Sequence, residues 1–309
     1  MTICLVTGGA GFIGSHIVRK LLERGDRVRV LDNFSTGKRE NLAEVESSIE
    51  IIEADLRDPE QVAKAVNGVE IIFHQAAFVS VPLSVENPQA CFDTNVHGIE
   101  ILLQAAHEAG VRQVVTASSA AVYGESQDYP LRETGETMSL SPYAASKRVN
   151  EIYADLYTRT TEMGVTALRY FNVYGPRQSP ASDYAAVIPI FIHRLLEGKA
   201  ATIHGDGLQS RDFVFVEDIA QANLIAADTP QAAGKVINIC SGEEITILDI
   251  LNTLRTIIPD TPEPTYGPSR LGDIYRSVGD PSRAERILQF KPRTELDEGL
   301  RQTVDWMRS

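Results

Sequence analysis

The sequence predicts an α/β protein, a doubly wound parallel sheet with a smaller C-terminal lobe, and three observations carry that reading. Short β-branched runs alternate with longer segments of helical period up to about residue 170, the pattern of βαβ units. A glycine-rich turn falls between the first such run and the first helical segment. The connections are short, which forces right-handed crossovers and sets helices on both faces of the sheet.

Strands are expected at 3–7, 27–31, 49–53, 69–74, 113–117 and 166–171, with helices between them at 12–24, 59–66, 88–109 and 142–163. After Gly175-Pro176 the pattern loosens into a helix near 185–197 and a stretch, 259–268, with four prolines. A last amphipathic helix carries Leu296, Leu300 and Val304 on one face. These signals divide the chain into a dinucleotide-binding domain, 1–172, and a substrate-binding lobe, 173–309. A strand-like run at 235–240 returns to the first domain, so the return is set at 213–241.

Composition narrows the function. The 309 residues hold 29 Lys and Arg against 42 Asp and Glu, a net charge of −13, so sequence-independent nucleic-acid binding has no basic surface to work with. Any polyanionic ligand must be met by locally placed Arg. Three cysteines, Cys4, Cys91 and Cys240, stand far apart without a CxxC pair, which excludes a disulfide framework or zinc ribbon and fits a reducing cytoplasm. The apolar N-terminal run is too short for a signal peptide. No apolar run reaches the roughly 18 residues of a membrane span, so a soluble, cytoplasmic protein is expected.

Gly8-Gly9-Ala10-Gly11-Phe12-Ile13-Gly14 sits between first strand and first helix, where glycines allow a tight turn and close approach of a pyrophosphate to the helix N-terminus. Asp32, at the end of the second strand, suits the ribose hydroxyls and repels a 2′-phosphate, favouring NAD over NADP. Asp55-Leu56, after the third strand, lies where an adenine edge would be held.

Tyr143 and Lys147 stand four apart on one helical face. A phenol with a pKa of about 10 is a poor base at neutral pH, so a nearby cation is needed, and Lys147 and a positive nicotinamide ring both qualify. Ser118 and Ser119 end the fifth strand at the carboxyl edge, where doubly wound sheets bind ligands. The six histidines, His16, His74, His97, His107, His193 and His204, show no two-ligand spacing, and no metal is expected.

These residues fall within motifs, TGGAGFIGS from Thr7, HQAA from His74, SSAAVYG from Ser118, YAASK from Tyr143, LRYFNVYGPRQ from Leu168 and SRDFVFVEDIA from Ser210. In that order they resemble an extended short-chain dehydrogenase/reductase with a Rossmann nucleotide domain, of the nucleotide-sugar epimerase and dehydratase branch. The resemblance implies NAD held by Gly8, Gly11, Phe12, Ile13, Gly14, Asp32, Asn33, Asp55, Leu56, Ala76, Asn95, Tyr143, Lys147 and Tyr170. It implies Tyr143 as the base, Lys147 as its electrostatic partner and Ser119 as a hydrogen-bonding shuttle to the sugar. It places Arg211 and Arg270 on the diphosphate of a UDP-sugar, Asp273 on its ribose and His204 beside the uracil, with Asn172 and Val187 nearby. Arg270-Leu-Gly-Asp273 departs from the more frequent Arg-Pro-Gly-Asp form of that loop. Relatives commonly pair the helices expected at 88–109 and 142–163 into a homodimer.

Dehydratases and decarboxylases of this family resemble one another in an acid just before the Val-Tyr step, where this chain has Ala120-Ala121. Without it, elimination lacks its general acid. That leaves 4-epimerisation of a UDP-hexose through a transient 4-keto sugar, an isomerase reaction. In hexose-restricted relatives a bulky Tyr stands at the position of Ser277, so a small side chain leaves volume for an acetamido group. Tyr184 to Pro189 also resembles the UDP-N-acetylglucosamine 4-epimerase subgroup. The expected pairs are UDP-GlcNAc/UDP-GalNAc together with UDP-Glc/UDP-Gal. Restriction to plain hexoses, UDP-glucuronate as substrate, and a non-catalytic NAD sensor on the same fold stay open.

Overall fold

The apolar runs become strands laid side by side in the computed structural model, which describes residues 1–180, 186–269 and 274–309. They are β1 (Ile3–Thr7), β2 (Arg27–Asp32), β3 (Ile49–Glu53), β4 (Ile71–His74), β5 (Gln113–Ser119) and β6 (Gly164–Tyr170). With Val236–Ile239 they form a seven-stranded sheet in the order β3-β2-β1-β4-β5-β6, the seventh strand lying outside β6. Every pairing in it is parallel. Strand order reverses between β1 and β4, and the crevice at the carboxyl ends there is the ligand-binding position of such sheets.

Helices α1 (Phe12–Arg24), α2 (Pro59–Val66), α3 (Val81–Glu86), α4 (Pro88–Phe92), α5 (Gly98–Glu108) and α6 (Pro142–Thr160) connect these strands. Ile17 and Leu21 of α1 pack with Val30 and Phe73 on one face. Val66, Leu102 and Ala154 pack with Leu5 and Ile72 on the other. Burial on both faces explains why the strands read as unbroken apolar runs. The start of α6 is fixed by Pro142 in its first turn and by the Ser141 side chain, which accepts from the Ala144 amide.

The helix expected over 88–109 is present, but it widens in its middle. Between α4 and α5 the chain makes a π-helical turn, Asp93–His97. The Asn95 amide is drawn sideways to the Phe78 backbone, accepting from its N–H at 2.7 Å and donating to its carbonyl at 3.0 Å. Wide turns of this kind recur at functional sites.

The rest of the chain contributes β7 (Asn172–Tyr174), α7 (Val187–Leu196), β8 (Thr202–His204), β9 (Ser210–Arg211), β10 (Phe213–Phe215), α8 (Val216–Asp228), β11 (Val236–Ile239, the seventh strand), β12 (Ile245–Thr246), α9 (Ile247–Ile257), β13 (Thr265–Gly267), β14 (Arg276–Ser277), α10 (Ser282–Leu288) and α11 (Leu296–Arg308). Phe191, Ile192, Ile250, Leu254, Leu300 and Val304 make a separate lobe core. Ile219 and Leu224 of α8, and Ala284 and Leu288 of α10, instead join the core beneath the main sheet. The two lobes are therefore interleaved along the chain.

Candidate active site

In the glycine turn, close contacts require glycine at Gly8 and Gly14. Gly8 has φ +69°, and a Cβ there would lie 2.6 Å from the Ala76 nitrogen, so the loop after β4 can close on it only as glycine. A Cβ on Gly14 would lie 2.1 Å from the Gly8 carbonyl oxygen. Helix α1 begins at Gly11 with no side-chain cap and no acid in its first turn, where Phe12 and Ile13 stand, so its first amides face outward to an anion.

Asp32 closes the next strand. Its two oxygens each accept one backbone amide at 2.9 Å, from Ala10 and from Phe34. Burial raises its pKa, and those two amides oppose the rise. Each oxygen keeps a further lone pair for a hydroxyl, and a buried carboxylate repels a second anion. Asp55 is gripped by Arg57 through two bonds of 2.8 Å and by the Asn33 amide at 2.8 Å, and the Arg57 bonds hold its carboxyl well below the usual range. Leu56 beside it is buried. This cradle fits the adenosine and pyrophosphate of NAD.

Two residues expected on the cofactor have their polar atoms bonded within the protein. Asn95 also donates to Ser146 Oγ at 2.9 Å, tying the Phe78 loop to α6. The Tyr170 hydroxyl donates to Asn223 Oδ1 at 3.0 Å and accepts from Gln75 at 3.1 Å.

Tyr143, Lys147 and Ser119 come together where β5 ends against α6. Ser119 stands by the Tyr143 phenol and acts to lower its pKa. Lys147 Nζ lies 5.8 Å from the Tyr143 ring centre and donates to the Ala117 carbonyl at 3.0 Å. Burial pushes the ammonium down to about 8 and the phenol above its ordinary value, with Ser119 opposing the latter. Of the two cations that the sequence named for this phenolate, Lys147 stands in place beside the ring, and the nicotinamide would come with the cofactor. Ser84 of α3, unremarked in the sequence, accepts from the Tyr143 backbone amide at 3.2 Å and seats the start of α6.

His74 lies at the same edge, bonded to Thr7 Oγ1 at 2.8 Å, and burial pushes it down to about 3 from 6.5. The unfolded chain takes up this proton near pH 6.5 and the folded chain only near 3, so stability is lost as pH falls below 6.5. From pH 7 to about 5 the loss through His74 is roughly 2 kcal/mol. A His74→Gln variant, unfolded in urea at both pH values, should lose that much less than the wild type. An unchanged difference would assign the acid limb elsewhere.

Beneath Ser119 is a feature that the sequence reading missed. Glu151, one turn beyond Lys147, is buried and receives Arg169 through bonds of 2.6 and 2.8 Å, Ser118 Oγ at 2.7 Å and Arg148 at 2.8 Å. Its signal was a carboxylate on the packed side of a helix, next to Lys147.

A cavity of about 650 Å3 opens in the C-terminal lobe, and Asn172, Val187, His204 and Arg211, all expected on the substrate, line it together with Arg194 and Phe213. Arg211 Nη1 donates to the Ser210 carbonyl at 2.8 Å, and His204 Nδ1 bonds to the Pro268 carbonyl at 3.2 Å. Ser277 pairs in register with Arg211 but is itself buried and is not among the lining residues. Arg270, Asp273 and Tyr184 lie outside the described residues. Among the described residues, no group of three His, Cys, Asp or Glu is placed to hold a metal ion, and no helix is long and apolar enough to cross a membrane.

Residues 4–240 match the NAD-dependent epimerase/dehydratase family. The UDP-glucose 4-epimerase of Mycolicibacterium smegmatis is 39% identical over 99% of this chain and 98% of its own. The UDP-N-acetylglucosamine 4-epimerase of Methanobrevibacter ruminantium, solved with UDP-N-acetylmuramic acid, superposes with a TM-score of 0.95 at 39% identity, covering 99% of this chain and 98% of its own. The UDP-glucose 4-epimerase of Thermus thermophilus, solved with NAD, does so with a TM-score of 0.90 at 39% identity, over 100% and 99%. With its nucleotide cradle, its Tyr143–Lys147–Ser119 cluster and relatives aligned from end to end, the chain belongs to the NAD-dependent epimerase/dehydratase family and is an enzyme that works with NAD.

Proposed function

We propose that the protein is a UDP-hexose 4-epimerase, an isomerase that interconverts UDP-GlcNAc with UDP-GalNAc and UDP-Glc with UDP-Gal through a transient 4-keto sugar. The observation that carries the reaction type is the short helical turn after Ser119, Ala120–Tyr123, which brings no carboxylate to the site. The phenol–serine pair can move a proton to and from a C4 hydroxyl, but nothing in that turn protonates a departing one. Bound NAD supplies the acceptor and donor of hydride at C4. Tyr143 takes the hydroxyl proton and returns it, Ser119 relays it, and Lys147 holds positive charge close by. Arg211 and Asn172 hold the nucleotide end of the substrate in the lobe cavity, with Arg270 and Asp273 as further partners.

The N-acetyl pair rests on Ser277. Ser277 is buried beside Arg211 and is not among the residues that line the cavity, which favours a second reading in which only plain hexoses are turned over. Incubating the purified holoenzyme, without added NAD, with UDP-GlcNAc, UDP-Glc, UDP-GlcA and their C4 epimers tests both. Turnover of no pair removes the epimerase assignment, and turnover of the plain hexoses alone removes the N-acetyl one. If Ser277 flanks the C2 substituent, Ser277→Tyr should cut kcat/KM for the N-acetyl pair by about tenfold or more while affecting the plain hexoses much less. Equal losses on both would remove Ser277 from the sugar site.

The same reading takes the enzyme as a homodimer built on α4 to α6, where Phe92, Ile152 and Leu156 stand exposed.

A further inference from the structure

Two consecutive residues at the end of β5 are fastened to different turns of α6, and the residue after them stands by a third. Ala117 receives Lys147 Nζ through its carbonyl at 3.0 Å. Ser118 donates its hydroxyl to Glu151 Oε1 at 2.7 Å. Ser119 stands by the Tyr143 phenol and acts to lower its pKa. Tyr143, Lys147 and Glu151 recur every four residues, so they share one face of α6. Glu151 is in turn anchored to the neighbouring strand by the two-pronged Arg169 pair, and Arg169 lies over the Tyr123 ring at 4.6 Å. Ser118, Glu151 and Arg169 are all buried, so none of them is free to exchange these partners for water.

Lys147 and Tyr143 belong to the chemistry, while Glu151 and Ser118 touch only protein. We propose that Glu151, held by Arg169 and read out through Ser118, is a positioning residue that sets the register of the β5 end against α6, and so the Ser119–Tyr143 contact. The reason is geometric. Backbone freedom at Ser119 is limited on one side by the tether at Ser118 and on the other by the turn that follows, where Ser119 Oγ accepts from the Ala121 amide at 3.2 Å. A carboxylate is suited to this because its two oxygens take Arg169 side-on and still accept a hydroxyl. Burial makes the tether stiff, since each member would lose these partners by moving.

The inference rests on the proposed role of Tyr143 as base, and the test separates the two. Ser118→Ala removes one hydroxyl and leaves Glu151 with Arg169 and Arg148, so the fold should persist, and Ser118→Thr restores the hydroxyl. In the holoenzyme, Ser118→Ala should lower kcat by on the order of ten- to a hundredfold, the penalty of a displaced reacting group, with KM for the UDP-sugar within about twofold. Ser119 acts to lower the Tyr143 pKa, so its displacement should move the rising limb of the kcat–pH profile to higher pH. Ser118→Thr should recover both. The near-ultraviolet titration of Tyr143, taken as the difference from Tyr143→Phe, reads the same shift without substrate and stands even if the chain turns over no UDP-sugar. Wild-type kcat, pH limb and Tyr143 titration in Ser118→Ala, with only a lowered Tm, would overturn the proposal and leave the cluster as packing. Failure of Ser118→Thr to recover the pH limb would overturn it as well.

Discussion

Tyr143→Phe should retain NAD and UDP-sugar binding and lose turnover by about 10²–10⁴-fold, the range for a lost acid–base group. The ring that packs at the β5–α6 junction is kept, and only the hydroxyl beside Ser119 is removed. The pH dependence gives a second reading of the same substitution. Burial holds the phenol above its ordinary value, so wild-type kcat should climb with pH as a growing fraction of Tyr143 loses its proton. The residual rate of the Phe variant should lack that limb. Steady-state rates across pH on the holoenzyme check both, and near wild-type turnover would end the assignment of Tyr143 as the base.

Glu151→Leu should destabilise the protein by about 3–5 kcal/mol, because it leaves the buried Arg169 guanidinium without a counter-charge. The double variant Glu151→Leu/Arg169→Met removes both charges and should regain most of that loss, since replacing a whole buried ion pair by apolar side chains is often neutral. Turnover should not return with stability, because the Ser118 tether is absent in both. Denaturant unfolding at neutral pH together with kcat on the same samples tests this. A double variant as unstable as the single one would show that the cluster is held by something other than charge pairing.

The central sheet was legible because β1, β4 and β5 are buried on both faces and their apolar runs are continuous. The glycine turn was legible because its residues are local and, at Gly8 and Gly14, a side chain would be blocked by contact. Tyr143 and Lys147 share a helix face, so their meeting follows from spacing alone. What escaped the sequence depends on contacts between distant segments. The π turn in 93–97 comes from Asn95 reaching back to Phe78, and the anchoring of α6 comes from Arg169, a residue on the strand after it. Two-residue strands such as β9 and β14 carry no periodicity to read, yet they set Ser277 beside Arg211.

The interleaving of the lobes also governs how the chain can reach its fold. Strand β11 docks on β6 from about seventy residues further along, and the lobe between them must be threaded out and back before the sheet is complete. Contacts of such separation raise contact order and slow folding. Until β11 arrives, β6 presents an unpaired, apolar strand border, the kind of surface that recruits other chains. Release of the lobe by itself would reopen that border, so lobe and sheet must hold together or be lost together.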